Sequence, residues 1–124
     1  MNIRTFFVPA IIGAMVLLSG CGNRELKKDA ARIGDAMCRN IEIMNKMKSA
    51  NPADSAVMKN LRSQANQLQN EMTIVYREFN DKYSEKIKDQ KFTKKFNREL
   101  RKAMLDCPSL SKKDRELFEQ DLKE

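Results

Sequence analysis

Three cysteines, Cys21, Cys38 and Cys107, are the most reactive side chains in this 124-residue sequence. It contains no histidine, which removes the commonest general base, the commonest metal ligand and every histidine-based triad. No Gly-rich loop, Cys-x-x-Cys pair or serine-nucleophile motif occurs either. Carboxylates are plentiful, but many stand beside bases at helix-surface spacing, as Glu42 does with Lys46 and Glu78 with Lys82. Such pairs describe a solvated surface. The sequence therefore predicts a protein that is not an enzyme, with no catalytic residues, no metal site and no cofactor.

Six methionines follow Cys21: Met37, Met44, Met47, Met58, Met72 and Met104. Soft thioethers can hold copper(I), and Met44 and Met47 share a helix face. All but Met47, however, fall on apolar stripes, where methionine fills gaps in a core. The basic residues are more suggestive. Lys91, Lys94, Lys95, Arg98, Arg101 and Lys102 project, at 100° per residue, into one sector opposite Phe96 and Leu100. Only Glu99 and Asp106 interrupt the positive charge between Lys91 and Lys113. Such a face either keeps a small domain soluble or meets an anionic partner.

Helices must position these groups. After Asn23 the only breakers are Gly34, Pro52 and Pro108, in a chain rich in Lys, Glu, Met, Leu and Ala. Leu26, Ala30, Ile33, Met37, Ile41 and Met44 recur every three or four residues, widened by Ile43 and Met47, and predict a helix over about 26–49. "SANPADS" offers Asn51 as an N-cap and Pro52 as the first residue of a second helix, 52–86. That helix carries the cleanest stripe: Met58, Leu61, Ala65, Leu68, Met72, Val75, Phe79, Tyr83 and Ile87. The five-residue step from Ile87 to Phe92 breaks the phase and predicts a turn near 86–91. A third helix follows over 91–106, ended by Pro108. "SKKD" (Ser111 to Asp114) then opens a short helix over 111–122. The expected fold is all-α: an antiparallel three-helix bundle with a short C-terminal fourth helix. The alternative keeps 53–106 as one long helix in a coiled-coil dimer, so the oligomeric state stays open.

The first twenty residues differ in kind, with one charge, Arg4, and an apolar stretch of 13 residues from Phe6 to Leu18. Spanning a bilayer takes about 20, so the stretch predicts a cleaved secretory signal rather than an anchor helix. Its end, Leu18-Ser19-Gly20-Cys21, resembles the lipobox of bacterial lipoproteins. The resemblance implies acylation of Cys21, cleavage just before it, and residues 21–29 as a lipidated start and short tether. Gly22, Asn23, Arg24 and Glu25 carry neither an aspartate directly after the cysteine nor an acidic cluster. That implies the periplasmic face of an outer membrane.

Formal net charge is +7, and losing Arg4 with the signal leaves +6 on residues 21–124. Outside the cytoplasm nucleic acid is not the partner. Anionic lipid, acidic glycolipid or an acidic envelope protein would suit the basic face. With Cys21 taken by lipid, Cys38 and Cys107 remain in an oxidising compartment. A helix rise of about 1.5 Å per residue places them within about 6 Å of level in an up-down-up arrangement, so the sequence predicts a Cys38–Cys107 disulfide. The alternative function is an envelope-stress or metal/redox protein using Cys38, Cys107 and the methionines.

Overall fold

The computed structural model describes the backbone from Val8 and side chains from Asn23 to Glu124. The side chains of residues 1–22, those of the apolar N-terminal segment and of Cys21 among them, lie outside the described residues. Among the described residues all regular structure is helical: α1 (Val8–Ser49), α2 (Ser55–Lys82), α3 (Gln90–Leu105) and α4 (Lys112–Asp121). The single-helix alternative for 53–106 is not adopted, because the chain turns between Lys82 and Gln90.

The stripes on α1 and α2 build most of the core. Leu26 and Ile33 of α1 meet Val75, Phe79 and Tyr83 at one end, with Phe92, Phe96 and Leu100 of α3 packed against them. Burying a side chain of this size is worth about 1.5–3 kcal/mol. That gain explains why residues 23–29, read as a tether, are helical: Leu26 is only 2% exposed. At the other end Ala36 and Ile43 meet Leu68 of α2, with Met47, Ala65 and Met72 alongside. The α1–α2 contacts descend along the chain, from Lys82 with Asp29, through Arg32 with Glu78, to Arg39 with Glu71. The second helix therefore runs back along the first.

The third helix runs in the same sense as α1, in a constant register. A β-carbon on Gly34 would lie 2.9 Å from the Ala103 β-carbon, and four residues further on Cys38 is disulfide-bonded to Cys107. Both pairs are 69 positions apart. Glycine is needed at Gly34 because any side chain would push the two helices apart. The bridge closes with a Cα–Cα distance of 5.6 Å. Ending α2 at Lys82 instead of 86 shortens it by about 6 Å, which brings the two cysteines level.

Capping decides the boundaries. Asn51 is not the N-cap of α2; its side chain accepts from Ala53 N at 3.0 Å and holds a turn around Pro52. Asp54 caps instead, accepting from Val57 N at 3.1 Å. A carboxylate is the stronger partner for orphan N–H groups at the positive end of a helix. Asp89 does the same for α3, accepting from Lys91 N at 2.9 Å, while Thr93 Oγ1 donates to the Ile87 carbonyl. Ile87, placed by the sequence on the α2 stripe, sits in this turn and is 39% exposed. Ser111 caps α4 as expected, with Asp114 N donating to Ser111 Oγ at 3.1 Å, and Ser111 Oγ donates to the Asp114 carboxylate at 2.6 Å in place of the backbone half of a capping box.

Candidate functional site: the basic face of α3

α3 presents Phe92, Phe96 and Leu100 inward, which turns the opposite sector, with its basic side chains, to solvent. Lys91, Lys94, Lys95, Arg98 and Lys102 are exposed, and Arg101 is half-buried. The six do not act as one uniform face. Near the C-terminal end, α4 brings Asp121 to 3.2 Å from Arg101. Asp121 and Glu124 share an open groove of about 620 Å³ with Lys94, Arg98 and Arg101. Lys102 turns to Glu99, at 3.1 Å. Lys95 donates to the Asn23 side chain. Among the described residues, Lys91, Lys94, Lys95 and Arg98 make no ion pair, so the open positive charge lies over residues 91–98, towards the N-terminal end of the helix.

A polar cluster that sequence spacing did not reveal closes the same end. Lys82 Nζ donates to Asp29 at 2.6 Å and to Glu25 at 2.8 Å, and the Tyr83 hydroxyl donates to the same Asp29 oxygen at 2.7 Å. These residues are 53 to 57 positions apart, beyond the reach of helix-periodicity arguments. The hydrogen bonds to Asp29 and Glu25 raise the Lys82 pKa well above its ordinary range, and the Lys82 hydrogen bond holds Glu25 below the usual carboxylate range. Burial, and then the hydrogen bond to Asp29, push the Tyr83 phenol up to about 12. With every member paired, the cluster reads as a structural clamp.

The clamp predicts an alkaline weakness. Between pH 10 and about 12 the folded phenol keeps a proton that the unfolded chain has lost. Its contribution is fully present below pH 10 and is lost as pH rises towards about 12, on the order of 2 kcal/mol. Denaturant titrations across that window should show the fall. Tyr83→Phe should be less stable at neutral pH and show a smaller alkaline loss, and an unchanged slope would refute this role for the phenol.

Cys38 is half-buried and Cys107 is 4% exposed, packed with Met104, Leu110 and Phe118. Free thiols at both positions would favour the metal- or redox-related alternative; here the two sulfurs are bonded to each other. The methionine reading changes in detail. Met47, the one left off the core stripes, packs against Ile43 and Leu68, while Met44 is 46% exposed. The α3 helix ends at Leu105, just short of the level of Cys38, and so leaves Met44 uncovered. Among the described residues no group of three or more Cys, Asp or Glu side chains is placed to hold a metal ion. No described helix is long and apolar enough to cross a membrane. Comparison with protein-family models, curated proteins and solved structures gives no match.

Proposed function

We propose that this chain is a lipid-anchored, non-enzymatic lipoprotein of the bacterial cell envelope, a helical module that works by contact. In this reading the mature domain is an antiparallel three-helix bundle with a short fourth helix, held at the periplasmic face of an outer membrane. The observation that carries it is Leu18-Ser19-Gly20-Cys21 at the end of a 13-residue apolar run. Several acyl chains, at about 0.8 kcal/mol per buried methylene, would hold so small a domain on the bilayer almost irreversibly. Leu26, five residues after Cys21, is already buried in the bundle, which in this reading holds the domain close to the bilayer. A domain with a basic surface and a disulfide also suits an oxidising compartment outside the cytoplasm.

Cys21→Ser tests the anchor. The variant should accumulate as an uncleaved precursor, whereas the unaltered protein should run at mature size and stay with membranes through a salt wash. Cleavage of Cys21→Ser to mature size would overturn the reading.

A further inference from the structure

We propose that the end of the domain nearest Cys21 rests on the anionic lipid headgroups of the membrane that holds the anchor. The Lys86-Ile87-Lys88 turn, Lys91 and Arg24 form this contact, lysines on phosphates and Ile87 among the uppermost acyl carbons. The proposal rests on the anchor reading for its geometry and deepens it by naming the surface that faces the lipid.

Three independent contacts place these groups together. The 69-residue register shared by Gly34 with Ala103 and Cys38 with Cys107, carried back along α1, sets Lys91 level with residue 22. The Lys95 hydrogen bond to Asn23 agrees with that register, and Asn23 lies within about 7 Å of Cys21 by chain length alone. The Lys82 bonds to Glu25 and Asp29 bring the end of α2 to the same level. The turn that follows is therefore carried to the anchor end of the domain, with Ile87 39% exposed between two exposed lysines.

Charge is concentrated there as well. Residues 22–28 and 84–95 hold eight basic side chains against three acidic ones, nearly the whole excess of the +6 on residues 21–124. Of the three acids, Glu25 is engaged by Lys82 and Asp89 by the α3 N-terminus. Glu85 approaches Lys88 only loosely, at 3.7 Å. An apolar tip flanked by lysines matches a bilayer surface, where phosphates lie just above hydrocarbon. An acidic protein would need no exposed isoleucine at that point. The anchor supplies the proximity, so even weak individual contacts are made at high effective concentration.

The chain has no tryptophan, so a single introduced indole reports its own surroundings. Acylated Ile87→Trp and Val57→Trp variants, the latter exposed at the far hairpin, are reconstituted into vesicles of phosphatidylcholine with or without phosphatidylglycerol. The Ile87→Trp emission should shift blue on the anionic vesicles at low salt and be quenched by lipids brominated near the headgroup. The shift should fade as the Debye length falls from ~30 Å at 0.01 M to ~8 Å at 0.15 M salt. Val57→Trp should not respond. On the unsubstituted protein, amine modification of Lys86, Lys88 and Lys91 should be roughly fivefold slower on anionic than on neutral vesicles, with Lys59 unchanged. Equal spectra and equal lysine rates on both vesicle types, or equal protection of Lys59, overturn the proposal. Flotation with neutral vesicles at high salt reports the anchor separately. Its loss would overturn the anchor reading while the low-salt arm still decides the headgroup contact.

Discussion

Reducing the Cys38–Cys107 bridge should destabilise the domain by about 4 kcal/mol. The bond joins residues 69 positions apart, so opening it frees a long loop in the unfolded chain and adds conformational entropy to that state. The native fold gains nothing to offset this. α3 depends heavily on its contacts with α1 at the bridge, where Met104, Cys107 and Leu110 pack with Met37 and Ile41. Beside a typical total of about 5–15 kcal/mol, the loss is large. Thermal unfolding followed by circular dichroism, with and without a dithiol reductant, should show the midpoint fall on the order of 15 °C. A Cys38→Ser/Cys107→Ser variant should match the reduced protein and ignore the reductant. A midpoint unmoved by reduction would contradict the role given to the bridge.

Phe79→Ala should have an effect of similar size, about 3–5 kcal/mol. The Phe79 ring is 8% exposed and sits 4.4 Å from the Phe96 ring centroid and 4.8 Å from that of Tyr83. It is therefore the point at which α2 holds α3 against α1, and its loss leaves a cavity shared by three helices. Ile74, on the same helix but 52% exposed, supplies the comparison. Ile74→Ala should change stability by no more than about 0.5 kcal/mol in urea unfolding. Equal effects at the two positions would mean that Phe79 does not lie in the core.

The contrast between these residues shows what periodicity could and could not give. The run Leu61, Leu68, Val75, Phe79 and Tyr83 was legible because helical geometry alone places it on one face, and all five are buried. The cysteine pairing was legible for a similar reason, since helix rise converts sequence distance into height. Ile87 continued the stripe arithmetically but lies beyond the end of α2, where Asp89 begins a new helix. Asp54 and Asp89, both good N-cap residues, set the starts of α2 and α3 where they are found. The exposure of Met44 had no local signal, because it depends on where α3 stops, whereas Met47 packs against Ile43 and against Leu68 of α2. The division of the basic face was equally hidden: it follows from α4 setting Asp121 beside Arg101, and nothing in the α3 sequence specifies where α4 lands.

The lipid anchor is the central claim, and the mass of the N-terminal peptide tests it most directly. Protein extracted by detergent from the membrane fraction, digested and analysed by mass spectrometry, should yield a first peptide that begins at Cys21, carries a diacylglyceryl thioether and is acylated on its amino group. An unmodified first peptide, starting at Cys21 or at any other residue, would contradict the account.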